Sequence, residues 1–384
     1  MFVAAFRQKT VWLSGHTGFK GAWLAQWLLE MGARVHGFSL APSTPPEPTF
    51  FDQLGLAGRM EHQIADVRDP AAVAKSIAAA QPDFVFHLAA QAILRASYEL
   101  PLETYATNVM GTVHVLEALR GLKKPCAAVL VTTDKCYENR EWVYGYREED
   151  PLGGFDPYSS SKAAAEIAIS AWRRSFFGAH PVRIASARAG NVIGGGDWAK
   201  DRIVPDCIRQ LQRNEPIPVR SPRATRPWQH VLESLSGYLW LAARLAGFGV
   251  PALAGNAPEN ANIQPAKAGT PNPIASAFNF GPGHDSNRSV EALVTEVLKH
   301  WPGRWEDRSD PNAVHEAKLL QLATDKASAL LGWCPVWNFV TTIEQTVRWY
   351  RETSRNPDTV PALTSRQIAD YQAAAAAASL PWAL

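Results

Sequence analysis

The sequence has few cysteines, almost no excess charge and no long apolar run, and each lack excludes a class of protein. The 384 residues contain four cysteines, which have neither metal-ligand spacing nor the density of a disulfide framework: Cys126, Cys136, Cys207 and Cys334. We therefore expect a reduced compartment and no metal site. The net charge of +2 is too small for a nucleic-acid or membrane-surface protein, because such partners require clustered Lys and Arg.

Membrane insertion and secretion are also not expected. No stretch of about 18 apolar residues occurs, and the apolar stretch within residues 1–10 is too short for a secretory signal. We therefore expect a cytoplasmic protein. With 46% hydrophobic residues, a chain of this length can bury a large core.

Apolar, β-rich runs alternate with helical patterns over the first half of the chain. The predicted strands are residues 10–14, 35–40, 84–88, 127–132 and 182–186, and the predicted helices are residues 20–31, 71–80, 102–119 and 158–177. A further helix is expected at 231–246, and the alanine-rich stretch 371–378 favours a helix or a frayed end. Such alternation is typical of an α/β fold with a Rossmann-type, doubly wound parallel sheet.

Three glycines stand between the first strand and the first helix at the spacing GxxGxxG. Glycine lets the backbone approach a pyrophosphate, and the following helix N-terminus offers unpaired N–H groups. The sequence therefore predicts a dinucleotide site formed by the whole turn: Gly15, His16, Thr17, Gly18, Phe19, Lys20 and Gly21.

The domain division follows from this turn. We expect a dinucleotide-binding domain at 1–188, to which 229–250 return, and a smaller C-terminal α/β substrate lobe formed by 189–228 and 277–384. The segment 248–276 is rich in Ala, Pro, Asn and Gly, which favours an insertion or a mobile loop.

The second strand ends without the acid that usually binds the ribose hydroxyls. It reads Phe38-Ser39-Leu40 and has no arginine suited to a ribose phosphate, so NAD is favoured over NADP without excluding it. Asp66 is placed to meet the adenine amine. Its alternative role is the N-cap of the helix that follows.

Tyr158 and Lys162 stand four residues apart at the start of a predicted helix, which places both on one face. A lysine ammonium and an oxidised nicotinamide both favour the phenolate, so this tyrosine could take a proton from an alcohol. A surface contact without chemistry is the alternative for the pair alone.

Together, the glycine turn, the sequence Leu88-Ala89-Ala90 at the end of the predicted strand 84–88 and the YxxxK pair resemble the extended short-chain dehydrogenase/reductase family. The resemblance implies that Tyr158 is the base, that Lys162 lowers its pKa and holds the nicotinamide ribose, and that Thr132 or Thr133 bonds the substrate hydroxyl. It further implies cofactor contacts from Asp66, Val67, Leu88, Ala89 and Ala90. A homodimer formed by helices 102–119 and 158–177 is also implied, whereas His87 is expected to be a packed strand residue.

Asp134 and Lys135 follow the predicted strand 127–132, at the sheet edge where α/β enzymes bind ligands. An ordinary polar strand end is the alternative. The blocks at 15–21, 132–139 and 226–231 resemble nucleotide-sugar 4,6-dehydratases of this family, in particular those acting on CDP-glucose. In that chemistry, oxidation at C4 makes the C5 proton acidic. We expect Asp134 to protonate the departing 6-hydroxyl and Lys135 to remove the C5 proton, with the reverse assignment open.

Three residues are predicted to bind the nucleotide diphosphate. Asn191 resembles the phosphate-binding asparagine of the family's substrate loop, and Arg202 is expected nearby. The Arg226 guanidinium matches phosphate geometry, although a surface salt bridge is its alternative. Trp228 could stack on a base or pack in the core.

Two other functions remain open at this point. A 4-epimerase would use Tyr158 and Lys162 without Asp134 and Lys135, and a non-enzymatic NAD-sensing or scaffold protein could retain the same fold. Nothing in the sequence reads a cytosine base, so GDP- and dTDP-linked sugars also stay open. The resemblance to CDP-glucose dehydratases implies a place in deoxysugar biosynthesis, such as that of lipopolysaccharide O-antigen.

Overall fold

The computed structural model describes residues 2–42, 49–248, 273–309 and 319–384. Most of the predicted insertion at 248–276 therefore lies outside the described residues. Within the described ranges, no helix combines the length and the apolar character needed to cross a bilayer.

The described residues form thirteen strands. In chain order they are β1 Thr10–Ser14, β2 Arg34–Ser39, β3 Glu61–Ile64, β4 Phe84–His87, β5 Cys126–Val131, β6 Val182–Arg188, β7 Val192–Ile193, β8 Ile217–Val219, β9 Thr225–Pro227, β10 Gln229–His230, β11 Ala277–Asn279, β12 Asn287–Ser289 and β13 Trp305–Asp307. The central sheet has the order β11-β6-β5-β4-β1-β2-β3. All of its pairings are parallel, which confirms the predicted Rossmann-type sheet.

Fourteen α-helices accompany these strands within the described residues. They are α1 Phe2–Phe6, α2 Phe19–Glu30, α3 Phe50–Gln53, α4 Pro70–Ala80, α5 Leu94–Glu99, α6 Pro101–Tyr105, α7 Gly111–Arg120, α8 Pro157–Phe176, α9 Ile203–Gln212, α10 Val231–Leu245, α11 Val290–His300, α12 Asp325–Leu331, α13 Phe339–Arg355 and α14 Val360–Ala377. The predicted tail helix at 371–378 is the end of α14.

The sheet separates two apolar cores because successive strand residues face opposite sides. In β1, Val11 and Leu13 pack into the core that contains α2 and α10, whereas Trp12 packs into the core that contains α4, α7 and α8. The indole N–H of Trp12 also donates to the Ser76 hydroxyl on α4 at 3.0 Å. Burial on both faces explains the nearly continuous apolar runs that predicted the strands.

Two features differ from the sequence prediction. The predicted helix 102–119 is not one uniform helix, because the π-helical turn Ala106–Met110 separates α6 from α7. In that turn the Asn108 amide donates to the Gln91 carbonyl and to the Ser161 hydroxyl on α8. The second difference is β11, which pairs with β6 in the central sheet although the whole range 277–384 was assigned to the substrate lobe.

The C-terminal half adds three two-stranded pairings: β7 with β10, β9 with β12, and β8 with β13. The Glu233 carboxylate on α10 joins this half to the sheet, since it accepts hydrogen bonds from the backbone N–H groups of Val336 and Trp337 and from the Tyr371 hydroxyl. This carboxylate is fully buried.

Candidate active site

A cavity of about 1570 Å³ opens beside the carboxyl ends of the central strands, lined by residues of the glycine turn, β5, α8 and the loop after β6. Its volume exceeds the roughly 300–1,000 Å³ of an ordinary ligand pocket, so it has room for both a dinucleotide and a second ligand. Every site residue predicted from the sequence lines this cavity, with the exception of His16.

The glycine turn has the geometry of a phosphate cradle. Gly15 has a φ of 77°, and a Cβ atom on Gly21 would stand 2.0 Å from the Gly15 carbonyl oxygen. No side chain can therefore occupy position 21. The N-terminus of α2 follows Gly18 directly, and its N–H groups are available for an anion. These residues fit the pyrophosphate of a dinucleotide.

His16 does not face the cavity. Its ring lies on Gly37 of β2 and contacts the rings of Phe51 and His62. Burial, together with the nearby His62, lowers the pKa of His16 to about 4. The side chain therefore packs behind the turn, and only the backbone of His16 remains a candidate for cofactor contact.

At the end of β2, hydroxyl groups occupy the place of the missing acid. Thr17 and Ser39 are hydrogen-bonded through their hydroxyl oxygens at 2.8 Å, and both line the cavity. Asp66 also faces the cavity, and its carboxylate accepts from the Arg68 guanidinium at 2.7 Å. The alternative role of Asp66 as a helix cap is wrong, because Asp69 caps α4 by accepting from Ala71 and Ala72.

Tyr158 and Lys162 lie on the buried face of α8, which Pro157 and the Asp156 cap begin. Burial raises the pKa of Tyr158 to about 12, and its hydrogen bond with the Thr133 hydroxyl acts in the opposite direction. Burial also lowers the pKa of Lys162 to about 8. Burial therefore disfavours the charged form of both groups, but a pKa of about 8 still leaves the ammonium as the main form of Lys162 at neutral pH.

A buried ion pair supports this helix from behind. The Glu166 carboxylate, one turn after Lys162, accepts from the Arg188 guanidinium of β6 at 2.9 Å and from the Ser186 hydroxyl at 2.8 Å. The Thr132 hydroxyl donates to the same carboxylate. Thr132 is therefore directed towards Glu166, which leaves Thr133 as the threonine that contacts Tyr158.

Asp134 and Lys135 begin the short 3-10 helix that follows β5. The Asp134 carboxylate is 1% exposed and accepts from the Thr133 hydroxyl at 2.9 Å and from the Asn191 amide at 3.1 Å. Lys135 is partly exposed and lines the same cavity. The pair is therefore part of the cavity wall, not an ordinary exposed strand end.

Lys20 is a further lysine in the cavity wall, besides Lys135 and Lys162. Its ammonium donates to the Tyr238 hydroxyl of α10 at 3.2 Å. Burial and the positive charge of Arg202 lower its pKa to about 7, against the attraction of Asp134. The Lys20 side chain of the glycine turn is therefore close enough to Asp134, at the end of β5, to interact with its charge.

Basic side chains line the part of the cavity formed by the C-terminal half. Arg202 pairs with Asp197 at 2.7 Å, and Arg226 is 5% exposed and lies on β9. Trp228 packs in the core and donates to the Arg288 carbonyl, and it also lines the cavity, so packing and stacking on a base both fit its position.

Several cavity residues were missed by the sequence analysis: Ser39, Arg95, Tyr98, Asp197, Lys200, Arg220, Arg223 and Arg308. The run of charged residues at 197–202 was the one available signal. The others come from distant segments, and only the fold brings them to one cavity.

All four cysteines are free thiols, and three of them are buried. His87 is also buried, between the Ser14 and Thr112 hydroxyls at 2.7 and 3.2 Å, as expected of a packed strand residue. Among the described residues, no group of three His, Cys, Asp or Glu side chains is arranged to hold a metal ion.

A parallel sheet that presents a phosphate-binding turn and a Tyr/Lys helix to one cavity defines the extended short-chain dehydrogenase/reductase class. The sequence profile of the NAD dependent epimerase/dehydratase family matches residues 11–251. The chain is 44% identical over 375 residues to the CDP-glucose 4,6-dehydratase of Salmonella typhimurium, with 95% of this chain and 97% of that protein covered. The chain belongs to the NAD dependent epimerase/dehydratase family.

Solved structures share the fold at lower identity. The dTDP-glucose 4,6-dehydratase of Streptomyces venezuelae, solved with NAD bound, superposes with a TM-score of 0.71 at 19% identity and covers 90% of this chain and 98% of its own. The UDP-glucose 4-epimerase of Thermotoga maritima gives a TM-score of 0.70 at 19% identity, covering 90% and 99%. Both dehydratases and epimerases therefore use this architecture.

Proposed function

We propose that this protein is a CDP-glucose 4,6-dehydratase, which converts CDP-glucose to CDP-4-keto-6-deoxyglucose and water. The observation that carries the proposal is that Asp134 and Lys135 face the same cavity as Tyr158 and Lys162. A 4-epimerase needs only the Tyr158 and Lys162 pair. A dehydratase also needs an acid and a base that remove water, and Asp134 and Lys135 can supply them. The 44% identity to the Salmonella enzyme supports the same conclusion.

The residues of the cavity fit NAD as the cofactor. When bound, NAD accepts the hydride from C4 and returns it to C6, so that no NADH accumulates. The glycine turn would hold the pyrophosphate, and Asp66 and Val67 would contact the adenine. Residues 88–90 would line the middle part of the dinucleotide. Lys162 would bond the nicotinamide ribose. The Thr17 and Ser39 hydroxyls could bond the hydroxyls of the adenosine ribose.

The protein groups supply the proton transfers. Tyr158 takes the proton of the 4-hydroxyl while Thr133 holds the same oxygen. The resulting ketone makes the C5 proton acidic, and Lys135 is the base that removes it. Asp134 then gives its proton to the 6-hydroxyl, the C6–O bond breaks and water leaves. The double bond formed between C5 and C6 would then accept the hydride at C6, while Lys135 returns the proton it removed to C5.

The C-terminal half would bind the nucleotide diphosphate. Arg226 and Arg202 supply guanidinium groups suited to phosphate oxygens, and Asn191 adds an amide donor. The assignment of 189–228 and 277–384 to a substrate lobe stays part of this proposal, except that β11 belongs to the central sheet. The cytosine base is the least constrained part of the substrate, and a dehydratase for another nucleotide base is the alternative.

We further propose a cytoplasmic homodimer that functions in deoxysugar biosynthesis. Three apolar side chains on the predicted interface helices support the dimer, since Leu102, Met110 and Ile167 are 86%, 47% and 58% exposed. A second copy that covers these helices would remove this apolar surface from water. The relation to lipopolysaccharide O-antigen stays a prediction.

The function is tested by incubating the purified protein with CDP-glucose and NAD. The mass of the sugar nucleotide should fall by one water, with no accumulation of NADH. Asp134→Asn and Lys135→Met should each abolish water loss, while Tyr158→Phe should abolish the first oxidation. An unchanged mass would reject CDP-glucose, and GDP- and dTDP-linked sugars would then be tested in the same assay.

A further inference from the structure

We propose that Asn191 is a positioning residue for Asp134 and that its side-chain amide decides how efficiently the oxidised sugar loses water. This inference rests on the proposed function, because it assigns Asn191 a part in the elimination step. The sequence predicted a different role for Asn191, that of a phosphate ligand. Its second amide hydrogen leaves that role open.

The hydrogen bonds of Asp134 carry the proposal. One carboxylate oxygen accepts from the Thr133 hydroxyl at 2.9 Å and the other accepts from the Asn191 amide at 3.1 Å. With one donor on each oxygen, rotation of the carboxyl group about its Cβ–Cγ bond is restricted. Thr133 is the residue directly before Asp134. Asn191 is the donor that comes from a distant segment of the chain.

The backbone at this place is shaped for that contact. Asn191 has a φ of 50°, a left-handed conformation that costs energy for most residues and that asparagine tolerates. A Cβ atom on the preceding Gly190 would stand 2.0 Å from Cγ of Asp134. Gly190 therefore lets the loop come against the carboxyl group, and the left-handed turn brings the Asn191 amide to it.

Gln229 holds this loop in place. Its backbone N–H donates to the Asn191 carbonyl at 3.3 Å, and its side-chain amide donates to the Gly190 carbonyl at 2.9 Å and to the Phe280 carbonyl at 3.2 Å. The parallel pairing of β7 with β10 continues from these bonds. The contact to Asp134 is thus supported by the sheet-like framework of the lobe.

Loss of water from the intermediate competes with its return to substrate. The ratio of the two outcomes therefore measures how well Asn191 orients Asp134. After the C5 proton is removed, the intermediate either loses its 6-hydroxyl with a proton from Asp134 or regains a proton at C5. If Asp134 is poorly oriented, the return to substrate becomes more frequent. In deuterium oxide, recovered CDP-glucose would then carry deuterium at C5.

Asn191→Gly is the appropriate variant, because glycine accepts the left-handed φ and only the amide is lost. Loss of one hydrogen bond to a carboxylate should lower kcat roughly 10- to 100-fold at saturating substrate and NAD. Deuterium at C5 of recovered CDP-glucose should rise well above the wild-type level. Asn191→Asp, which replaces the donor with a second carboxylate, should show the same pattern.

Asn214→Gly is the matched control. Asn214 also has a left-handed φ, of 57°, but it is exposed and lies outside the cavity, so its kcat and deuterium content should equal those of the wild type. If Asn191→Gly only raises KM, or keeps the wild-type deuterium content at C5, Asn191 does not position Asp134. If the wild-type enzyme itself removes no water, the proposed function is rejected and this inference with it.

Discussion

At the scale of single residues, burial changes the proton affinity of two neighbouring side chains on α8. Burial raises the pKa of Tyr158 to about 12 and lowers that of Lys162 to about 8. A phenol with so high a pKa is rarely deprotonated at neutral pH. Positive charge near the phenolate must therefore bring its pKa down during the reaction, and Lys162 is the protein group predicted to do this.

Lys162→Met should move the acid limb of the kcat–pH profile to higher pH. The proposed mechanism needs deprotonated Tyr158, so activity should rise with pH through its pKa, and loss of the ammonium should raise that pKa. At pH 7, kcat should fall roughly tenfold for each unit by which the pKa of Tyr158 rises. The profile is measured at saturating NAD, with Lys162→Arg as the control that keeps the charge. An acid limb that stays in place in Lys162→Met would contradict this role.

At the scale of elements, the strand–turn–helix unit of β1 and α2 depends on two close backbone approaches. The glycine spacing in the sequence predicted the turn, but the structure shows which glycines have no room. A Cβ atom on Gly21 would be 2.0 Å from the Gly15 carbonyl oxygen, whereas one on Gly18 would be 3.4 Å from the same atom.

Gly21→Ala should therefore weaken NAD binding at least roughly tenfold and lower the free energy of unfolding by about 1–3 kcal/mol, because the turn must open to admit the methyl group. Gly58→Ala is the control, because a Cβ atom there would meet no other atom within 4 Å and Gly58 lies outside the cavity, so both quantities should change much less. Calorimetric titration with NAD and thermal unfolding measure the two effects. Equal NAD affinities in the two variants would show that the turn tolerates the added methyl group.

At the scale of the whole molecule, Glu233 connects α10 with the chain at 336–337 and with α14. Its carboxyl group is surrounded by apolar side chains and the three donors described above. Burial raises the pKa of Glu233 from its ordinary value of 4.5 to about 7, with the hydrogen bonds acting in the opposite direction. The junction between the two halves should therefore respond to pH.

The folded state holds a proton on Glu233 that the unfolded chain releases near pH 4.5. This contribution to the free energy of unfolding should be fully present below pH 4.5, decline between pH 4.5 and 7, and be absent above that range; its size is about 3 kcal/mol. Glu233→Gln should remove this part of the pH dependence. Denaturant unfolding between about pH 4.5 and pH 8 measures it, and parallel curves for the variant and the wild type would disprove it.

The dimer is also a property of the whole molecule. Leu102→Asp places a charge on the most exposed apolar side chain of the predicted interface and should shift the protein towards monomer in light scattering. Val143→Asp is the matched control, because Val143 is 76% exposed and lies outside the interface helices. If both variants have the mass of the wild type, these helices are not the interface.

The sequence by itself determined the local features. Strand and helix periods predicted the parallel sheet, and the spacing of Gly15, Gly18 and Gly21 predicted the turn. The spacing of Tyr158 and Lys162 predicted a shared helix face, because that spacing follows from helix geometry. These signals are readable because each arises from residues close together in the chain.

Only the tertiary structure decided the contacts between distant segments. It turned the His16 ring away from the cavity and placed β11 in the central sheet. It also brought the Asn191 amide to Asp134, 57 residues earlier in the chain. No local pattern encodes such contacts, because they depend on the packing of the lobe against the carboxyl edge of the sheet.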